Sequence, residues 1–286
     1  MSKLEQGSKQ WLELRRNKIG ASDCPVVMGI DPWKSPFQLF QEKFGLLNVE
    51  ENYAMRRGKE LEPLAREEFL KATGIRVEPD VRFHPEFNWM MASLDGISSD
   101  SKEAVEIKCP GSESLTFKLA VEGKIPDHYN AQIQHQMAVL GLNNMFYFVF
   151  DGSTGIVLEI KRDDAYIDSI YRKETEFWNR LQNFEPPELL DKDYREIASD
   201  EWNQWVNIYN EADAMLKDAE EKKEIARKML IDLSNGQNTR GKGLTLTKYV
   251  RRGTIDYSLV PELLGKDLEP YRKKPAESWR ITCRNG

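Results

Sequence analysis

Apolar residues recur along the chain in two different periods, and their alternation predicts the order of the secondary structure. Intervals of three and four residues predict helices, whereas short apolar or alternating runs predict strands. Up to residue 185 the predicted helices are 25–29, 36–44, 61–73, 127–140 and 163–183. The predicted strands are 75–84, 89–97, 104–109, 145–151 and 155–161. Helices that alternate with groups of strands predict an α/β domain built around a mixed sheet.

Capping residues and prolines indicate where several of these helices begin. Ser22 is expected to cap the first helix, and the pair Ser35-Pro36 is expected to begin the second. Because Pro63 fits the first turn of a helix better than its interior, the third helix is expected to begin at residues 61–62.

The pattern changes after Pro187. Apolar residues at three- and four-residue spacings predict one long amphipathic helix from Trp202 to Leu233, about 48 Å long if it is unbroken. It is either packed on the core or forms a coiled arm. A strand pair, Leu244–Tyr249 and Thr254–Tyr257, is expected to follow. The expected organisation is a core domain, residues 1–187, and a helical and β C-terminal extension, residues 188–286.

Charge is distributed unevenly along the 286 residues. The net charge of −6 argues against a protein that coats nucleic acid by bulk positive charge. Residues 186–233 carry a net charge of −6 and residues 234–286 carry +6, so a basic tail follows an acidic stretch. No apolar run reaches the roughly 18 residues that a membrane span requires, and the N-terminus is too polar for a secretory signal. Three cysteines without metal-ligand spacing make a reducing cytosol the expected compartment.

One charged cluster stands out in the predicted sheet, with Asp95 near the end of one strand and Glu106 and Lys108 on the next. Residues two apart on a strand point to the same face, so Glu106 and Lys108 lie together and Asp95 can reach them. Buried without partners, these charges would be strongly destabilising, and a divalent cation would remove that cost. Oxygen donors suit Mg²⁺ or Mn²⁺, and the carbonyl of Ile107 is a candidate further ligand. An exposed β-hairpin with a surface ion pair is the alternative.

Six short motifs surround this cluster in a fixed order. They are Trp11–Arg15 with Gly20–Ser22, then Asp31–Pro36, Gly58–Glu62, Met91–Gly96, Glu106–Pro110 and Tyr129–Gln134. In this order they resemble the motifs of the lambda exonuclease, or YqaJ-like viral recombinase, family of PD-(D/E)XK nucleases. The resemblance covers residues 11–180. It implies a restriction-endonuclease-like core, with a central mixed β-sheet flanked by helices, to which the C-terminal extension is added.

The resemblance also implies an activity, that of a metal-dependent 5′→3′ exonuclease on double-stranded DNA. Asp95, Glu106 and the Ile107 carbonyl would be the principal metal ligands, and Glu62 would complete a second metal position. Two Mg²⁺ ions per active site are implied, for which Mn²⁺ can substitute. Two cations about 3.5–4 Å apart can activate a water molecule and stabilise the leaving oxygen. Without the resemblance, Glu62 is an ordinary first-turn glutamate favoured by the helix dipole.

Five further positions acquire roles from the same resemblance. Lys108 would orient the attacking water, help to deprotonate it and screen the developing negative charge. Gln132 would hold that water or Lys108; its alternative interpretation is a polar residue on an amphipathic helix. Arg15, Ser22 and Ser93 match the positions that hold the terminal 5′ phosphate, where an arginine offers a charged fork and serines offer short hydroxyl donors.

The partners implied are double-stranded DNA ends with a 5′ phosphate and a phage single-strand annealing protein. A homo-oligomer, a trimer that encircles DNA, is also implied, in the cytoplasm of a bacterial host and encoded by a phage or prophage. Two alternatives stay open. One is a PD-(D/E)XK endonuclease of repair or restriction type, and the other is a catalytically inactive DNA-binding recombination partner.

Overall fold

The computed structural model describes residues 8–47, 52–250 and 253. Its contacts divide the chain into two compact units, the first ending at Arg195 and the second beginning at Glu196. The last residues of the first unit are held to its N-terminal part. The ammonium group of Lys192 donates to the carbonyl oxygens of Asp31, at 3.2 Å, and Lys34, at 2.9 Å.

The described elements of the first unit come in alternating groups of helices and strands. Its helices are α1 (Lys9–Arg16), α2 (Cys24–Val27), α3 (Pro36–Lys43), α4 (Tyr53–Thr73), α5 (Leu115–Val121), α6 (Asp127–Leu140) and α7 (Asp164–Asn183). Its strands are β1 (Ile19–Gly20), β2 (Glu78–Phe83), β3 (Met90–Ile97), β4 (Ala104–Lys108), β5 (Asn144–Phe150) and β6 (Gly155–Lys161). The mixed α/β order predicted from the sequence is confirmed, and the predicted helix 127–140 and strand 155–161 have the bounds observed.

The second unit contains the long helix that the apolar spacing predicts. This helix, α8, spans Asp200–Leu233 and is followed by strands β7 (Thr239–Gly241) and β8 (Leu244–Leu246). Strand β8 is shorter than the predicted Leu244–Tyr249 and pairs with β7, a strand that the sequence did not predict. The other predicted strand, Thr254–Tyr257, lies outside the described residues.

The start of α4 corrects the sequence prediction. The helix begins at Tyr53 and therefore carries Pro63 in its interior. Arg57, in the additional turns, donates from Nε to the carbonyl of Cys109 at 3.2 Å and from Nη2 to the carbonyl of Asp151. These bonds hold the additional turns of α4 against the residues that follow β4 and β5.

The N-terminal region departs from prediction in two places. Ser22 is not a helix cap but lies inside a short 3₁₀ helix, Ala21–Asp23, and Asp23 is the residue that precedes α2. Two short helices, α1 and α5, were not predicted at all. Each is capped by a serine side chain, Ser8 or Ser114, and each is too short to show a clear apolar period.

The sheet has both faces covered. Its order is β1-β3-β4-β5-β6, with β2 paired to β3 off this path. The pairs β1–β3 and β4–β5 are parallel, and the others are antiparallel. Alternate residues of β5 belong to different clusters: Tyr147 packs in the cluster that contains α6 and α7, and Phe148 packs with Phe69 of α4. Helices therefore approach the middle of the sheet from both sides.

Candidate active site

The candidate site lies where two neighbouring strands separate. Strands β3 and β4 pair only at Gly96 with Val105 and at Ile97 with Ala104. Asp95 and Glu106 are the next residues on each strand. Both carboxylates therefore lie at the point where β3 and β4 separate, which we call the fork. The Asp95 carboxylate accepts a hydrogen bond from the backbone N–H of Ile107 at 2.8 Å, which holds the strands together where their backbone pairing ends.

Glu106 is the most firmly held of these carboxylates. It is 1% exposed, which excludes the surface ion pair that the sequence left open. Its Oε1 accepts from Lys108 Nζ at 2.6 Å and from Gln132 Nε2 at 2.7 Å. Its Oε2 accepts from Gln136 Nε2 at 2.5 Å. Three donors on one buried carboxylate fix its orientation.

Lys108 faces the same side of β4 as Glu106, as the two-residue spacing predicts. Its ammonium group donates to Gln132 Oε1 at 3.3 Å and lies 4.7 Å from the centre of the Tyr129 ring. Burial on its own lowers the pKa of Lys108, but the charges of Glu106, Tyr129 and Asp95 raise it above its ordinary value. Lys108 is therefore a cation in this structure.

Asp95 and Glu62 are brought to the fork from different elements. Glu62 lies in the middle of α4, so the first-turn interpretation of this glutamate is wrong. Its carboxylate accepts from Arg66 Nη1, and the same nitrogen donates to the carbonyl of Asp95 at 3.2 Å. Burial, Glu106 and then Glu62 raise the pKa of Asp95 well above its ordinary value, against the opposite effect of Lys108.

The donors at the fork fit a hard divalent cation. They are carboxylate and carbonyl oxygens, and burial together with the neighbouring carboxylates already disfavours the charged form of Asp95. Glu62, Asp95 and Glu106 are not drawn into a tight group, however. Within the described part of the chain, one group of three or more His, Cys, Asp or Glu residues has its ligand atoms within 4.8 Å of one another. It is a different, buried cluster of Cys24, His135 and Glu174.

The three residues expected to bind a 5′ phosphate are linked through Trp11. Arg15 donates from Nη2 to the hydroxyl of Ser22 at 2.6 Å, and its guanidinium carbon lies 4.7 Å from the centre of the Trp11 ring. The indole N–H of Trp11 donates to the hydroxyl of Ser93 at 3.0 Å. Ser93 is two residues before Asp95 on β3, so this cluster leads directly to the fork.

A buried aspartate orients Arg15. Asp23 accepts from Arg15 Nη2 at 3.3 Å and from Lys43 Nζ at 2.5 Å. Burial on its own raises the pKa of Asp23, but Lys43 and Arg15 lower it well below its usual range. The carboxylate is therefore charged and holds the guanidinium beside Ser22.

Sequence reasoning assigned no role to several residues that shape the site. They are Trp11, Asp23, Arg66, Tyr129 and Gln136. A signal for two of them was present: Tyr129, Gln132 and Gln136 are spaced by three and four, which places them on one face of α6. Arg66 follows Glu62 by one helical turn, but the wrong start of α4 concealed its relation to the sheet.

Comparison with known proteins agrees with these features. Residues 10–143 match the model of the YqaJ-like viral recombinase domain. An alkaline exonuclease from Laribacter hongkongensis, LHK-Exo, is 30% identical with a TM-score of 0.53, over 62% of this chain and 94% of its own. The chain belongs to the YqaJ-like viral recombinase family. A structure of LHK-Exo in complex with dAMP gives 29% identity and a TM-score of 0.54 over the same shares.

Two curated relatives are longer than the part that matches. The YqaJ protein of Bacillus subtilis (strain 168) is 34% identical over 182 residues, which are 61% of this chain and 56% of that protein. Protein R354 of Acanthamoeba polyphaga mimivirus is 29% identical over 148 residues, which are 47% of this chain and 27% of that protein. The chain thus spans little more than half of the first relative and about a quarter of the second.

The structural likeness confirms the predicted fold class. Both LHK-Exo structures match this chain with TM-scores above 0.5, and the fold is the PD-(D/E)XK-like core that the motifs implied. None of the helices among the described residues is both long and apolar enough to cross a lipid bilayer.

Proposed function

We propose that this protein is a metal-dependent 5′→3′ exonuclease that digests one strand of linear double-stranded DNA and leaves a 3′ overhang. The supporting observation is the fork itself, where Asp95 and Glu106 lie beside Lys108 and Glu62 in a member of the YqaJ-like family. The relative LHK-Exo is an alkaline exonuclease, which supports nuclease activity in this chain.

Each residue of the fork has a distinct task in phosphodiester hydrolysis. Glu62, Asp95, Glu106 and the Ile107 carbonyl would hold the cations, two Mg²⁺ ions or Mn²⁺ in their place. When bound there, the cations supply Lewis acidity and lower the pKa of a bound water molecule. Lys108 holds its proton in this structure, so it orients the water and stabilises negative charge that develops on the phosphate.

Gln132 orients Lys108, the residue proposed to position the attacking water. Its amide donates to Glu106 and accepts from Lys108, so it fixes the ammonium group on the carboxylate side of the strand. Displacement of either group would misplace the attacking water, and small errors of position are costly in catalysis.

The cluster of Arg15, Ser22 and Ser93 is proposed to hold the 5′ phosphate of the strand that is digested. Arg15 is partly exposed and Ser22 is exposed, so both remain accessible to DNA. The relative LHK-Exo forms a complex with dAMP, a nucleoside monophosphate, which supports the binding of a nucleotide phosphate by this chain. A guanidinium and a hydroxyl form charge-assisted hydrogen bonds to phosphate oxygens.

The biological setting is part of the same proposal. The 3′ overhang would be taken over by a phage single-strand annealing protein during homologous recombination. The enzyme would act in the cytoplasm of a bacterial host as a homo-oligomer, a trimer around its DNA. Encirclement would keep the enzyme on the strand between successive cleavages.

Digestion of defined DNA substrates tests this function. Linear duplexes carrying a 5′ phosphate or a 5′ hydroxyl, and a closed circle, are incubated with Mg²⁺ or with chelator. We expect rapid loss of the 5′-phosphorylated strand in Mg²⁺ and no digestion with chelator. Equal cleavage of the closed circle would instead identify an endonuclease, and absence of cleavage from every substrate would favour the inactive DNA-binding alternative.

A further inference from the structure

Gln136 has the geometry of a residue that acts on the fork, although the motifs did not single it out. It lies one helical turn after Gln132 on α6 and is fully buried. Its Nε2 donates to Glu106 Oε2 at 2.5 Å and lies 3.5 Å from the carbonyl oxygen of Ser93. The second of these contacts is at the long limit for a hydrogen bond.

The orientation of the Gln136 amide follows from its neighbour. If the amide were reversed, its carbonyl oxygen would face the carboxylate of Glu106, and two acceptors would repel each other. In the orientation observed, Oε1 is buried and has no hydrogen-bond partner among the described residues. A buried acceptor without a partner is unfavourable. The hydrogen bond from Nε2 to Glu106 is therefore formed although it leaves Oε1 of the same amide in this unfavourable state.

The two oxygens of Glu106 are not held equally. Oε1 accepts from both Lys108 and Gln132, whereas Gln136 is the donor found on Oε2 in the part of the chain that the structure describes. Gln136 therefore controls the position of one oxygen that the other two donors do not reach. Through Ser93 it also approaches the strand that carries the candidate phosphate-binding hydroxyl.

We propose that Gln136 is a positioning residue that fixes Oε2 of Glu106 for cation binding and connects it to the strand segment at Ser93. This inference rests on the proposed function, since Glu106 is a metal ligand only if that function holds. Mutation of groups that hydrogen-bond to metal ligands commonly lowers metal affinity about 10- to 100-fold.

The variant Gln136→Met tests this role, because it keeps the length of the side chain and removes the donor. Binding of MnCl₂ to the protein without DNA, measured by calorimetry, is expected to weaken about tenfold or more. The Mg²⁺ concentration that gives half-maximal digestion should rise by a similar factor, and added Mg²⁺ should restore much of the rate.

Gln134→Met is the matched control on the same helix. Gln134 is also buried, but it donates to the carbonyl of Lys161 at 2.8 Å and accepts from the N–H of Asp163 at 2.9 Å, away from the fork. Its substitution removes two buried hydrogen bonds and should lower the free energy of unfolding. The Mn²⁺ affinity of this variant should stay within about twofold of the wild-type value.

The outcomes separate this inference from the proposed function. If the wild type binds Mn²⁺ and digests DNA but Gln136→Met binds Mn²⁺ as tightly as Gln134→Met, the positioning role is contradicted. If the wild type neither binds the cation nor cuts DNA, the proposed function itself fails. Should Gln136→Met not fold, Gln136→Asn is used, which keeps an amide but draws it back from Glu106, and the same loss of affinity is expected.

Discussion

The cluster proposed to bind a 5′ phosphate, Arg15, Ser22 and Ser93, depends on how Arg15 is held. Its guanidinium touches Trp11, Ser22 and Asp23, and Asp23 is itself fixed by Lys43. An arginine that is held on several sides loses little conformational freedom when it binds a phosphate, because its guanidinium group is already oriented. Selection for a 5′ phosphate is therefore expected to depend on this one side chain.

Replacement of Arg15 by alanine is expected to remove the preference for 5′-phosphorylated ends. A charge-assisted hydrogen bond contributes about 1.5–3 kcal/mol, which corresponds to a fall in preference of about 10- to 100-fold. The measurement is the ratio of digestion rates on 5′-phosphate and 5′-hydroxyl duplexes. Arg16→Ala, an exposed neighbour of the same charge, is the control. An unchanged ratio in Arg15→Ala would place phosphate recognition elsewhere.

A second residue-scale feature is the buried pair of His135 and Glu174. His135 Nδ1 lies 2.7 Å from Glu174 Oε1, and Nε2 lies 2.9 Å from the carbonyl of Met91. Both neighbours are acceptors, so a ring protonated on both nitrogens satisfies both. Burial lowers the pKa of His135, but Glu174, the Met91 carbonyl and more weakly Asp23 raise it above its ordinary value.

This pair predicts a pH dependence of stability. Below the unfolded-state pKa of about 6.5, histidine is protonated in both states and the contribution of the pair is fully present. As the pH rises through the higher folded-state pKa, the folded protein loses its proton and that contribution is lost. Urea unfolding at several pH values should therefore show stability that falls above about pH 6.5.

Glu174→Gln is the variant that assigns this dependence. Breaking a buried ion pair costs about 3–5 kcal/mol, so the variant should be less stable at pH 6. It should also lack the decline in stability that the wild type shows at higher pH, because the charge that raises the pKa of His135 is gone. A decline of the same size in the variant would show that other groups cause it.

Among the elements, β3 illustrates how closely the sheet is packed beside the fork. Gly96 follows Asp95 and forms the first backbone pair with β4. A Cβ at this position would lie 2.5 Å from a methyl carbon of Val77 and 2.9 Å from one of Val105. Both neighbours belong to the core cluster that packs against α4. A side chain at this position would therefore displace the strands that place Asp95 and Glu106.

Gly96→Ala is expected to lower the free energy of unfolding by about 1–3 kcal/mol, because overpacking forces neighbours from their positions. Gly58→Ala is the contrasting change, since Gly58 lies within α4 and a Cβ there meets no atom within 4 Å. That variant should gain about 0.5–1 kcal/mol from helix propensity. Chemical denaturation measures both, and equal effects of the two alanines would contradict this account of β3.

Elements with a clear period were predictable from sequence, and those fixed by tertiary contacts were not. The bounds of α6 and β6 follow from apolar spacing and from Gly141 and Gly155 at their ends. The early start of α4 depends on Arg57, which reaches the ends of two distant strands. A local sequence pattern does not reveal such long-range bonds. The prediction therefore put Pro63 in the first turn of this helix.

The same division applies to the site. The spacing of Asp95, Glu106 and Lys108 could be read directly, because residues two apart on a strand share a face. Asp23 could not be identified, since its role depends on Lys43 and Arg15 meeting in the fold. Gln136 was within reach of helical periodicity, but only the structure shows that its amide contacts Glu106.

At the scale of the whole molecule, the residues proposed for catalysis and for phosphate binding all lie in the first compact unit, which ends at Arg195. That unit has its own core on both faces of the sheet. The second unit contributes α8, in which no side chain is buried. A chain that ends at Arg195 is therefore expected to fold and to keep Mg²⁺-dependent cleavage of linear duplex DNA. Loss of cleavage in a folded truncated protein would mean that the site needs residues beyond Arg195.

The central claim is that carboxylates at the fork bind the cations that cleave DNA, and Glu106→Gln tests it most directly. The change keeps the size of the side chain but removes the charge and one of the two acceptor oxygens, while Glu103→Gln, immediately before the same strand, is the control. Because the residues that orient metal ligands already affect activity about 10- to 100-fold, loss of a ligand should reduce digestion by at least about a hundredfold. Mn²⁺ binding should weaken in parallel, with Glu103→Gln unchanged. Digestion by a folded Glu106→Gln protein at the wild-type rate would contradict the account.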